Sequence, residues 1–157
     1  MEWLEAVARW PVADALRQGV AAYALVNAAH ILGLGLLIGA IATLDLRLLG
    51  GFRATPLPAV AGPLTKVAAT GLVLALATGL LLFSVRPLAY VQTPAFLIKL
   101  ALVGVGVLNA LLLRAGSDWR RMLSGAAPSP RVRLGAALSL LVWIGAIVSG
   151  RWIGFSQ

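Results

Sequence analysis

The chain has 157 residues, of which 61% are hydrophobic and only 11% are charged, and its mean hydropathy is +0.95. Soluble domains are about half apolar and about one quarter charged, so this composition excludes most soluble enzymes, disordered proteins and free nucleic-acid binders. The 13 Lys and Arg residues against 5 Asp and Glu give a net charge of +8. In so apolar a chain, this excess indicates membrane topology rather than a nucleic-acid partner.

The first segment, residues 2–19, has apolar residues at near-helical spacing, with charged residues between them and Pro11 interrupting the pattern. It predicts an amphipathic helix that lies in the membrane interface, with a frayed tail as the alternative. The acidic start at Glu2 and Glu5 lacks the basic region of a cleaved signal peptide. We therefore expect one transmembrane domain over residues 1–157.

Four long apolar stretches follow, at about 21–44, 64–85, 94–113 and 134–154. Each is long enough for a helix to cross a bilayer, which takes about 20 residues. Strand-like alternation is absent, and lipid is spanned only by helices or closed barrels. Short loops join antiparallel neighbours, so the sequence predicts an all-α integral membrane protein built as an up-down four-helix bundle.

The distribution of positive charge predicts the orientation. The first and third loops and their flanks hold eight of the 13 Lys and Arg residues: Arg47, Arg53, Lys66, Arg114, Arg120, Arg121, Arg131 and Arg133. The positive-inside rule places these loops in the cytoplasm. Both termini then face outward, which in a bacterial inner membrane is the periplasm. The basic third loop is expected to contact anionic lipid headgroups.

Small residues predict where helices approach closely. Gly35 and Gly39 are four apart in the first span, and Gly71, Ala75 and Gly79 repeat at the same spacing in the second. Such spacing lets helix backbones come together. We interpret both patterns as contacts within the chain, with a face for a second copy as the alternative.

Polar residues at membrane depth are the candidates for function. Asn27 and His30 share a face of the first span, Lys99 and Asn109 lie in the third, and Arg151 ends the fourth. At a rise of 1.5 Å per residue, His30 lies about 13 Å and Lys99 about 8 Å from the outer end of their spans. His30, Lys99 and Arg151 therefore lie in the outer half of the bundle.

An imidazole beside two cations suits haem b, with His30 as the metal ligand and Lys99 and Arg151 pairing with propionates. Asn27 or Asn109 would orient groups in the pocket. His30 is the only histidine, and neither Met1 nor Met122 lies in a span. The haem would then be five-coordinate, would use neutral Lys99, or would lie between two copies.

Other chemistries have less support. One His, no Cys and no intramembrane Met argue against a copper or zinc site. Asp45 is about 22 Å from His30 along one helix, so no catalytic triad forms, and no Gly-rich phosphate loop is present. The structural alternative is that His30 bonds a backbone carbonyl or Asn109, Lys99 reaches the interface, and Arg151 anchors a helix end.

Several motifs carry a family resemblance: Asn-Ala-Ala-His-Ile-Leu-Gly ending at Gly33, Leu-Asp-Leu-Arg-Leu-Leu-Gly ending at Gly50, Pro-Ala-Phe-Leu-Ile-Lys-Leu ending at Leu100, Leu-Asn-Ala-Leu ending at Leu111, and the final Gly-Arg ending at Arg151. The chain resembles an uncharacterised bacterial family of four-helix membrane proteins. More distantly, it is similar to the copper-resistance D membrane domain and to the four-helix, haem-dependent membrane protoporphyrinogen oxidase. The resemblance implies that His30 and Lys99 carry function. The oxidase carries a further His on its Lys-bearing span, and Asn109 lies in the corresponding stretch of this chain.

The leading hypothesis is a small membrane protein whose outer-half pocket binds haem b through His30 for electron transfer or porphyrin handling. The alternatives are a structural or accessory membrane subunit and a copper-related permease domain. The expected partners are the lipid bilayer and a second copy or a larger membrane complex, with no nucleic acid.

Overall fold

The computed structural model describes residues 2–155. The described residues form eight helices, which are α1 (Glu2–Ala8), α2 (Pro11–Gln18), α3 (Val20–Leu48), α4 (Leu57–Val85), α5 (Pro87–Val91), α6 (Pro94–Ala115), α7 (Ser117–Leu123) and α8 (Pro130–Ile153). No strand occurs among them, and the all-α fold class is confirmed.

Proline sets where most of these helices begin. It occupies the first turn of α2, α4, α5, α6 and α8. Proline fits there because the first-turn N–H groups have no partner within the helix and its fixed φ already suits a helix. Ser129 caps α8, since its hydroxyl accepts a hydrogen bond from the Val132 N–H. The helix boundaries therefore follow from local sequence.

Four helices are long and apolar enough to cross a membrane: α3, α4, α6 and α8. They overlap the four predicted spans. The main difference is that α4 begins at Leu57 rather than near residue 64, and α3 continues through the charged end to Leu48. Most of their apolar side chains face outward, as in a protein whose solvent is lipid. The chain is a multi-pass, membrane-type helical protein.

The four long helices pack in the order α4, α3, α8, α6. The closest pairs are α3 with α4 and α6 with α8, and α3 also packs on α8. Among the described residues, no comparable backbone packing joins α4 to α6, although they follow each other in the chain. An apolar cavity of about 220 Å³ lies between them, with Trp143 of α8 in its wall.

Glycines bring α3 and α4 into close contact. A Cβ added to Gly71 would lie 2.5 Å from the Leu37 backbone nitrogen, and one on Gly33 would lie 2.8 Å from that of Ala75. The predicted role of the Gly71, Ala75 and Gly79 repeat in packing within the chain is therefore correct. The same prediction for Gly35 and Gly39 is wrong, because both are exposed and nothing lies within 4 Å of an added Cβ.

The N-terminal helices fold against the end of the bundle where α3 begins and α4 ends. Leu4 of α1 and Ala13 of α2 are fully buried, and these helices pack on α5 and α4 respectively. Arg17 joins the parts, since its guanidinium donates hydrogen bonds to the carbonyls of Ala8 at 2.7 Å and Val85 at 3.3 Å. This segment therefore covers one end of the helices that position the candidate site.

Candidate functional site

His30 of α3 is held by a hydrogen bond to Thr78 of α4, with 3.0 Å between Nδ1 and Oγ1. The Thr78 hydroxyl donates its proton to the Leu74 carbonyl at 2.6 Å, one turn back on its own helix. Because that proton is already committed, Thr78 Oγ1 accepts from His30, and we assign the proton of the neutral imidazole to Nδ1. Nε2 is then left with a free lone pair, which is what a metal or a proton binds.

The imidazole of His30 has room because the residue facing it on α4 is a glycine. A Cβ on Gly79 would lie 3.3 Å from His30 Cε1 and 3.7 Å from Nδ1. That is tighter than ordinary van der Waals contact. Thr78 and Gly79 thus act together, one fixing the ring by a hydrogen bond and the other leaving room for it.

Lys99 of α6 lies about 8 Å along its helix from the same end of the bundle as this imidazole. Its side chain is partly buried and lies along α8, where a Cβ on Gly150 would be 3.5 Å from the Lys99 Nζ. Over residues 2–155, its ammonium has no hydrogen-bond or ion-pair partner. The bundle therefore places one imidazole, and one cation that has no partner over residues 2–155, in the half where α3 and α6 begin.

Aromatic side chains cover the end of the bundle above this pair. Phe83 of α4 and Phe96 of α6 stack at 5.4 Å between ring centroids, and Tyr90 of α5 lies 5.4 Å from Phe96. Burial raises the pKa of the Tyr90 phenol. Phe83 lies about one turn beyond Gly79, and Phe96 about one turn before Lys99, a rise of about 5 Å. The three partly buried rings therefore form an apolar layer at this end of the bundle.

The other three predicted site residues lie elsewhere. Arg151 is exposed, and its guanidinium lies 4.9 Å from the centre of the Phe155 ring. Asn27 is exposed on α3. Asn109 donates a hydrogen bond to the Gly135 carbonyl at 3.0 Å and lines the cavity between α4 and α6. It lies about 15 Å along α6 from Lys99, so it does not join the His30 group.

Sequence reasoning missed the residues that orient His30. Thr78 is visible as a polar residue inside an apolar helix, and Gly79 as part of a small-residue repeat. Nothing in the sequence of α4 alone shows that both face His30. Thr78 lies about 10 Å and His30 about 15 Å from the same end of the bundle, if helix rise is counted along each span. This similar depth was the one signal in the sequence that the two residues could meet.

A protein-family model matches this chain. No curated protein and no solved structure matches the chain. A model of DUF6644, described as a family of unknown function, matches residues 2–156. Because this match extends over nearly the whole sequence, the chain belongs to the DUF6644 family.

Proposed function

We propose that this protein is a haem b-binding membrane protein in which His30 is the axial ligand through Nε2. The observation that carries the proposal is the hydrogen-bond relay from His30 through Thr78 to the Leu74 carbonyl. Metal-ligating histidines commonly donate their other ring N–H to an oxygen acceptor, which fixes the tautomer and the ring orientation. The relay gives His30 that arrangement before any ligand arrives.

His30 and Lys99 have the side-chain chemistry that binds haem b. Imidazole is a common axial ligand of haem iron. Lys99, whose ammonium has no hydrogen-bond or ion-pair partner over residues 2–155, supplies a cation for a propionate. Arg151, which was expected to supply a second one, lies against Phe155 instead. Haem b, when bound, would supply one-electron redox chemistry, in keeping with electron transfer or porphyrin handling.

A single histidine limits how the iron is held. His30 is the only histidine in the chain. One chain therefore supplies one imidazole, and a second would come from another copy. We place the protein in a bacterial inner membrane with both termini in the periplasm, so that the His30 site lies in the outer half of the bilayer.

The visible absorption spectrum tests the proposal. The full-length protein is purified in mild detergent after expression with ample haem supply, and its oxidised and reduced spectra are recorded. We expect a Soret band in the wild type, its loss in His30→Ala, and its retention in Asn27→Ala, a matched polar change one turn away on α3. Absence of the band in the wild type would disprove the proposal.

The competing function is a structural membrane subunit in which His30 only ties α3 to α4. The same samples separate the two. If His30→Ala lowers the unfolding temperature while the wild type carries no haem, the structural role stands. If the Soret band survives in His30→Ala, another residue is the ligand and our assignment is wrong.

A further inference from the structure

A cavity at the opposite end of the bundle is lined by three arginines. It has a volume of about 530 Å³ and lies where the first and third loops meet. Arg47 comes from the last turn of α3, Arg53 from the loop after it, and Arg133 from the first turn of α8. Its floor contains the buried side chains of Leu48 and Met122. The fold thus gathers charges that are up to 86 positions apart in sequence, between 47 and 133.

Two of the guanidinium groups converge on one glycine. A Cβ on Gly50 would lie 3.4 Å from Arg53 Nη2 and 3.6 Å from Arg133 Nη2. Gly50 has φ of +109°, a backbone conformation that a side-chain-bearing residue rarely adopts. Because position 50 is a glycine, the guanidinium groups of Arg53 and Arg133 can both approach this turn.

These like charges lack an internal counter-charge. No acidic residue lines the cavity. The ion pairs found over residues 2–155 join Arg9 to Glu5, Arg17 to Asp14 and Arg121 to Asp118, and none involves the cavity arginines. Guanidinium groups held close together without a carboxylate repel each other, and an anion between them removes that repulsion.

The hydrogen bonds of the arginines leave their terminal nitrogens available. Arg53 Nε donates to the Gly50 carbonyl at 3.0 Å, and Arg47 Nε donates to the Thr55 carbonyl at 2.8 Å. Both bonds use Nε and fix the side chains. The remaining N–H donors have the fork geometry that matches phosphate oxygens.

The wall formed by the third loop is also fixed. Ser129 Oγ donates to Asp118 Oδ2 at 2.7 Å, and Arg121 also pairs with Asp118. These contacts tie α7 to the start of α8 and hold the segment 125–128 that borders the cavity. The contacts within the chain therefore fix this wall of the cavity.

We propose that this cavity binds a phosphate group with more than one negative charge, held by Arg47, Arg53 and Arg133. Two sources share this chemistry: the headgroup of an anionic phospholipid, since the cavity lies at a helix end, and a water-soluble phosphate. Neither source depends on His30 or on haem.

Binding of two probes tests the proposal and separates the sources. The full-length protein in zwitterionic nanodiscs is titrated with pyrophosphate by calorimetry. In parallel, nanodiscs that contain phosphatidic acid in phosphatidylcholine are analysed by native mass spectrometry for retained lipid. Saturable binding of pyrophosphate indicates a soluble ligand, and selective retention of phosphatidic acid indicates a lipid.

The double variant R53Q/R133Q removes the convergent pair, and R120Q/R131Q is the matched control. The control removes the same charge from exposed positions of the same face that do not line the cavity. We expect binding to weaken about tenfold or more in R53Q/R133Q and to change little in the control. Equal loss in both variants, or no binding of either probe by the wild type, would overturn the proposal. Thermal unfolding of each variant verifies that it is folded.

Discussion

The imidazole of His30 and the hydroxyl of Thr78 join α3 to α4 through a hydrogen bond of 3.0 Å, 48 positions apart in sequence. The bond determines which ring nitrogen carries the proton, because Thr78 already donates to Leu74. The contact between α3 and α4 therefore leaves the Nε2 atom of His30 unprotonated.

Thr78→Val should weaken haem binding while leaving the fold intact. Valine has nearly the shape of threonine but cannot accept the Nδ1 proton, so the ring loses its fixed tautomer. Loss of such an orienting partner costs about 10- to 100-fold in metal affinity. Haem titration followed at the Soret band measures the change. Thr78→Ser keeps the hydroxyl and should bind like the wild type; an equal loss in both variants would contradict the assignment.

Gly71→Ala should destabilise the bundle, whereas Gly35→Ala should not. The added methyl at Gly71 would meet the Leu37 nitrogen and the Gly33 oxygen, both backbone atoms that cannot move aside. Overpacking of this kind costs about 1–3 kcal/mol. The methyl at Gly35 meets nothing within 4 Å, and removing a helical glycine gains up to about 1 kcal/mol.

Thermal unfolding in detergent measures both glycine variants under the same conditions. Each variant is the control for the other, because both add one methyl group to a membrane-spanning helix. We expect their unfolding temperatures to shift in opposite directions. Destabilisation by Gly35→Ala of the same size as by Gly71→Ala would show that Gly35 has a packing partner, such as a second copy of the chain.

Asp118 should make stability depend on pH in the acid range. Hydrogen bonds from Ser129 and Arg121 hold the pKa of the Asp118 carboxyl below its usual value of 3.8. A depressed folded-state pKa gives a stabilising contribution that is complete above the unfolded value and is lost as the pH falls through the folded value.

Unfolding of the wild type and Asp118→Asn between pH 7 and pH 3 checks this contribution. We expect the wild type to be the more stable at neutral pH and the two to converge toward the acid end. A constant difference over the whole range would show that the carboxylate charge of Asp118 contributes nothing. Asp14→Asn, which alters an exposed pair on α2, is the control.

Single cysteines should report the orientation of the loops, because the natural chain has none. Gln92 and Ala127 are exposed at opposite ends of the bundle, after α5 and after α7. An impermeant maleimide added to intact cells should label Gln92→Cys, and should label Ala127→Cys only after permeabilisation. The reverse pattern would place the arginine cavity outside the cell and the His30 site in the inner half.

The candidate site was predictable only in part. His30 and Lys99 stand out as ionisable residues in apolar spans, and their distances from the helix ends already place them at similar depth. Arg151 shares that depth but turns toward Phe155, and Asn27 faces outward. Depth along a helix follows from counting residues, whereas the direction of a side chain follows from how the helix is rotated against its neighbours.

The number and helical nature of the spans are determined by the sequence alone, because burial of each apolar residue in lipid is a local and nearly additive effect. The start points are local as well, since proline and the Ser129 cap act within one turn. Only the tertiary structure decides that His30 meets Thr78 and that Arg53 meets Arg133. Those meetings depend on the rotation and register of helices, which close contacts such as Gly33 with Ala75 set between segments far apart in the chain.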